Sequence, residues 1–182
     1  MDHFLVEVVR KQRRGLDEVL YYLSWVAIVI TGFLALMDLS AFISMLTMGG
    51  GLNWFTLISG LVSGGLCAYM FLFHDRLRTE YEYTFTNGDL DFAQVFNNNK
   101  RKNLGSLKIK NLEAFGPATG AAFQRYITMP GIQQTRWFLN RDGNLYYCYF
   151  QKEGNKRIIV FEPSPEMAQL CRQYLPFGAY QE

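Results

Sequence analysis

Chemistry needs side chains that exchange protons, attack or ligate, and this sequence brings few of them together. His74 and Asp75 are adjacent, which would suit an acid–base pair at a membrane edge; the competing reading is a solvated interfacial pair. The only other histidine is His3, so the stretch after residue 78 has no imidazole. Cys148 and Cys171 therefore lack the usual base, and no Ser–His site can form there. The three cysteines are odd in number and have no Cys-x-x-Cys spacing, so neither a disulfide framework nor a zinc site is indicated. Cys67, Cys148 and Cys171 read as reduced, packed residues.

Asp89 and Asp91 are two apart and share a strand face. With Glu80 or Glu82 across a hairpin they could approach a divalent cation, but no calcium-loop spacing supports a site, and a polar strand face is the simpler reading. Asp38 is the one acid within a long apolar stretch. It falls where a first span should end, which favours an interfacial position over an ion relay. Gly49-Gly50-Gly51 lacks the following Gly-Lys-Ser/Thr of a phosphate loop and reads as a flexible reversal. No catalytic, cofactor-binding or metal-ligating residue is expected, and the chain reads as non-enzymatic.

The densest charge cluster downstream is Lys100-Arg101-Lys102, expected in or beside a strand turn. It is the candidate for contact with anionic lipid headgroups, each basic residue there contributing about 1 kcal/mol. The alternative is a solvated turn that discourages edge pairing. A net charge of +2 is too small to argue for nucleic acid.

The elements around these residues follow from one feature. Between Arg14 and Arg76 there is no lysine or arginine. Two apolar runs, 20–37 and 54–73, each approach the roughly 20 residues needed to cross a bilayer core. A two-span membrane protein is expected, with the outer loop at 38–53, whose stretch 39–48 is too apolar for a solvated loop and either extends the first helix or lies in the outer interface. Arg10, Lys11, Arg13 and Arg14 precede the first span, and Arg76 and Arg78 follow the second. The positive-inside rule then puts both termini in the cytoplasm of a multi-pass cell-membrane protein. A cleaved signal peptide is not expected, because a long, partly acidic prelude comes first and a second span follows.

Residues 1–18 form an N-terminal cytoplasmic segment. Phe4, Leu5, Val8 and Val9 fall at helical spacing, which suggests an amphipathic helix on the inner surface, or else an extension of the first span. Within the spans, Ala27 and Thr31 lie on one small-residue face, and Gly60, Gly64 and Ala68 recur every four residues on another. Such faces allow close approach in lipid. A hairpin between the spans is the simpler reading and a dimer through Gly60 the alternative, so a homo-oligomer stays open.

Residues 79–182 change to period two. Tyr81, Tyr83 and Phe85 alternate with polar residues, and Asn87-Gly88 signals a hairpin to a strand at 89–96. Further strands are expected around Leu104–Ile109, Leu112–Phe115, 135–139, 145–151 and 157–161, with one or two helical turns inside Thr119–Ile127. Ser164-Pro165-Glu166 caps a closing helix. This order fits a membrane α-helical hairpin plus an α+β domain: an antiparallel pleckstrin-homology-like barrel or sheet of about seven strands, closed by a C-terminal helix. A plain sheet packed by two helices competes with it. The strand holding Tyr146, Tyr147, Tyr149 and Phe150 is aromatic on both faces. Its second face therefore needs a cover: the C-terminal helix, a partner chain or lipid.

At Glu80-Tyr-Glu-Tyr83, Thr86-Asn-Gly-Asp-Leu-Asp91, Lys100-Arg-Lys102 and Phe115-Gly-Pro117 the chain resembles an uncharacterised family of small bacterial two-span membrane proteins, a domain of unknown function. The resemblance covers nearly the whole chain and implies a β-rich cytoplasmic domain of pleckstrin-homology-like layout, a Gram-positive source, and binding or scaffolding rather than catalysis. It carries no catalytic residues. The expected function is a membrane-anchored cytoplasmic binding or scaffolding module. Its partners would be membrane lipids and a protein not named by the sequence, or a second copy. The alternative is an accessory subunit of a transporter or envelope system acting through its spans.

Overall fold

The computed structural model describes residues 3–12, 15–51 and 53–182; Arg13 and Arg14 of the basic flank lie outside them. The chain forms two units. One joins residues 1–12 to 79–182, and the other is 13–78.

The second unit is a helical hairpin. Helix α1 runs Gly15–Thr47 and α2 runs Trp54–Phe73, followed by a 3₁₀ turn at His74–Arg78. Both helices are long and apolar enough to cross a membrane. Helix α1 continues ten residues past the expected end at Met37, because Asp38 to Thr47 contains no glycine or proline to stop it. It ends where Gly49 takes a positive φ of 74° and the Gly50 N–H donates back to Met45 O at 2.9 Å. Helix α2 starts at Asn53, whose side chain accepts from Phe55 and Thr56 N–H.

The helices meet along a seam that advances by threes and fours. On α1 it is Tyr21, Ser24, Ile28, Thr31, Ala35, Asp38 and Phe42; on α2 it is Thr56, Gly60, Ser63, Cys67 and Met70, continued by His74 of the following turn. This is the heptad spacing of left-handed helix pairs. Gly64 faces Ala35, where an added Cβ would sit 3.8 Å from the alanine methyl, and Gly32 faces Cys67 Sγ. Thr31 Oγ1 donates to Ala27 O at 2.7 Å. Ala68 is exposed and off the seam. A strict step of four residues drifts about 40° per step around a helix, so after Gly64 the contact passes to Cys67.

In the first unit the amphipathic-helix expectation is corrected. Phe4–Val9 is strand β1, antiparallel to β2 (Thr79–Thr86) with Phe4 opposite Thr86 and Val9 opposite Tyr81. The alternation Leu5, Glu7, Val9 was the overlooked signal, backed by β-branched Val6, Val8 and Val9. The first sheet has the order β1-β2-β3-β4, with β3 at Asp89–Phe96 and β4 at Lys100–Lys108. Asn87 and Gly88 both have positive φ, 49° and 93°, as the two-residue turn between β2 and β3 requires.

The second sheet has the order β5-β7-β8-β6: Ala114–Pro117, Tyr146–Lys152, Asn155–Phe161 and Gln133–Trp137. Strands β6 and β8 are parallel, against the all-antiparallel expectation. The cause is helix α3 (Ala121–Ile127), which carries the chain from the β5 edge to the β6 edge and returns it in the same direction, as a helical crossover does. Neither sheet closes, so the expected barrel is two four-stranded sheets instead. Helix α4 (Pro165–Gln173) begins as expected, with Ser164 Oγ accepting from Met167 N–H at 3.1 Å.

The main core joins Tyr83, Phe85 and Phe92 of the first sheet to Phe115, Ile159 and Phe161 of the second and to Met167 and Cys171 of α4. Phe161 meets Tyr83 and Phe92 edge-to-face at 5.4 Å. Tyr147 and Tyr149 lie in a second cluster with Phe123 of α3. Helix α3 is thus the cover on the second face of the aromatic strand.

Candidate functional site

Lys100, Arg101 and Lys102 stand beside the turn at 97–99, the second of the two expected placements. They open β4, paired with Phe96, Val95 and Gln94 of β3. Strand alternation splits them. Arg101 lies on the face that carries Glu80 and Glu82, and binds Glu82 at 2.7 Å. Arg10 binds Glu80 at 3.1 Å on the same strand. Glu80 and Glu82 are thereby engaged by guanidinium groups, which leaves Asp89 and Asp91 without the acidic partners a cation site would need. Among the described residues no group of three or more His, Cys, Asp or Glu is placed to hold a metal ion.

Lys100 and Lys102 share the opposite face. Following the ladders across, Lys100 pairs with Phe96 and Phe96 with Thr79. Thr79 is the first residue after the turn that ends the second apolar helix. Two strand spacings, about 10 Å, separate Lys100 from that point. The basic pair therefore stands at the end of the sheet where the chain arrives from the helical hairpin.

A polar cleft of about 420 Å³ lies on the same unit, lined by residues of the N-terminal segment, the loop at 140–144 and the start of α4. Asn140 organises it. Its Oδ1 accepts from Gln12 N–H at 2.8 Å, and its Nδ2 donates to Arg10 O at 2.9 Å and to Glu162 Oε1 at 2.9 Å. Glu7 Oε2 accepts from Ser164 N–H at 3.0 Å. Burial raises the Glu7 carboxyl above its ordinary range against that hydrogen bond, and Glu162 and Glu166 add to the rise. These contacts fix the N-terminal segment onto the domain. The Asn140 network was not foreseen, because its partners are brought in by β1.

The other chemical candidates are packed away. His74 and Asp75 are only 8% and 7% exposed rather than solvated. His74 Nδ1 lies 2.7 Å from Phe71 O and Nε2 lies 3.3 Å from Asp75 Oδ1, with Trp25 and Tyr21 around the ring. Cys148 and Cys171 are buried free thiols. Burial pushes Cys171 up to about 12 and Cys148 well above its usual value, which works against the thiolate a nucleophile requires.

No curated protein and no solved structure matches the chain. A family described as a bacterial PH-like domain of unknown function, DUF6106, matches residues 1–180. That match takes in β1, both apolar helices and the two sheets together, and the chain belongs to this family of bacterial PH-like domains.

Proposed function

We propose that the chain is a membrane-anchored, non-catalytic binding module whose β domain touches anionic headgroups of the inner leaflet through Lys100 and Lys102. One observation carries this reading: the register that sets Lys100 two strands from Thr79. Membership of a PH-like family and two membrane-length helices support it. Arg101 contributes less, since Glu82 offsets its charge. The headgroup contact orients the domain, and its other surfaces bind a protein or a second copy.

Two lysines near an anionic surface supply about 2 kcal/mol together, roughly a 30-fold effect. The test uses residues 1–12 joined to 79–182 by a short turn, sedimented with phosphatidylglycerol vesicles. Lys100→Gln with Lys102→Gln should cut binding about 30-fold, and high salt should abolish it. Equal sedimentation of the variant and the parent would sink the headgroup contact.

A second reading is an accessory subunit acting through its spans. It is favoured by Asp38, an ionisable side chain on the seam between them.

A further inference from the structure

Asp38 does not sit at the end of the first apolar helix. It lies opposite Ser59 and Gly60, five and six residues into α2 from Trp54. At 1.5 Å per residue that is about 8–9 Å inside the end of a helix about 30 Å long. If Trp54–Phe73 spans the hydrocarbon, as its length of about 30 Å allows, the Asp38 side chain lies within it and not among headgroups.

The hairpin is shaped around this side chain. A Cβ at Gly60 would stand 3.2 Å from Asp38 Cβ, so glycine makes the room. Ser59 Oγ donates to Asp38 Oδ2 at 2.8 Å, the one hydrogen bond to this carboxylate among the described residues. Beside it opens a cavity of about 290 Å³ whose other walls include Gly32, Leu36, Leu39, Leu57 and Leu61. That volume is at the bottom of the range for small-molecule sites, about 300 Å³ and up, and suits a single inserted side chain. Ionisable residues in lipid pair with one another or line pathways, and among the described residues no ionisable side chain partners Asp38. No lysine or arginine occurs between Arg14 and Arg76, so a second copy in the same orientation brings no cation to this depth.

We propose that Asp38, positioned by Ser59 and Gly60, is the seat for a lysine or arginine on a transmembrane helix of another protein. This rests on the accessory-subunit reading and is independent of the headgroup contact, which is read without the spans.

The test puts the labelled full-length protein into phosphatidylcholine vesicles with single-span leucine–alanine peptides. One peptide carries a lysine at the depth of Asp38 and the other a leucine there, and association is read by energy transfer. The lysine peptide should associate about tenfold more strongly, and Asp38→Asn should erase the difference. Asn keeps the shape and an acceptor for Ser59 and is a neutral side chain, so the variant should insert; circular dichroism checks its helicity. Equal association of the two peptides with the parent overturns the proposal, as does a preference that survives Asp38→Asn. Self-association of the parent that Asp38→Asn abolishes, without a lysine preference, also overturns it and assigns Asp38 to a contact between copies.

Discussion

Val9 stands opposite Tyr81 in the β1–β2 ladder, although both membrane-length helices lie between them in the chain. The hairpin of helices occupies the position of a strand-to-strand turn. The domain is therefore not the stretch after the second span. It is assembled from the two ends of the span segment, closed by Asn140 on Gln12 and Arg10 and by Ser164 on Glu7.

The first prediction follows from that assembly. Residues 79–182 alone should aggregate, because β2 loses its neighbour and offers an open edge. The inward residues Leu5 and Val9 go with β1, a loss of about 3 kcal/mol from a total that is typically 5–15. Residues 1–12 joined to 79–182 by an Asn-Gly turn should be monomeric and melt cooperatively, read by gel filtration and circular dichroism. A well-folded, monomeric 79–182 would show β1 to be dispensable.

Glu7 supplies a pH dependence of known sign. Its folded-state carboxyl is raised above the unfolded value of 4.5, mainly by burial. A raised group contributes stability that is present below the unfolded value and lost as pH rises through the folded one. On going from pH 7 to pH 5 the joined domain should gain stability relative to Glu7→Gln, measured as the change in Tm of each. At pH 7 the glutamine variant should be at least as stable, since its amide oxygen still accepts from Ser164 N–H. A Glu7→Gln variant that loses stability at pH 7 would mean the hydrogen bond outweighs the burial.

Gly116 holds the C-terminal tail. An added Cβ would clash with Gln181 O, in a segment where Phe115 N–H donates to Ala179 O and Gln181 N–H to Phe115 O, both at 2.8 Å. Gly116→Ala should cost about 1–3 kcal/mol, as overpacking does, seen as a lower urea midpoint. In a chain ending at Gly178 the same substitution should cost little. Equal losses in both chains would place the clash elsewhere.

Orientation is checked by labelling. By the positive-inside rule, the basic residues outside the apolar stretch and none within it predict that residue 50 lies outside the cell. A cysteine at Gly50 should react with an impermeant maleimide in intact cells, and one at Asn99 should react only after lysis. The opposite pattern would reverse the topology.

What could be read from the sequence was local. The Trp54 start of the second span, the Asn87-Gly88 turn and the Ser164 cap each depend on a few neighbouring residues, and each stands where expected. What could not be read depends on distant partners. Strand β1 gains its ladder only from β2, far along the chain, and a run of apolar residues with one glutamate fits a helix face equally well without it. The separation of Arg101 from Lys100 and Lys102 follows from a strand register, whereas a turn would have left the three together. Ala68 belongs to a four-residue repeat that sequence alone cannot distinguish from the heptad running through Cys67.

The pairing of β1 with β2 also sets a parity rule. Both strands must meet on one side of any bilayer the helices cross, so only an even number of crossings lets the first sheet form. A chain with one helix left out of the membrane would strand β1 and β2 in different compartments and leave Tyr83, Phe85 and Phe92 partly uncovered. The first sheet is thus sensitive to the parity of crossings: a copy with a single crossing would lack the β1–β2 ladder.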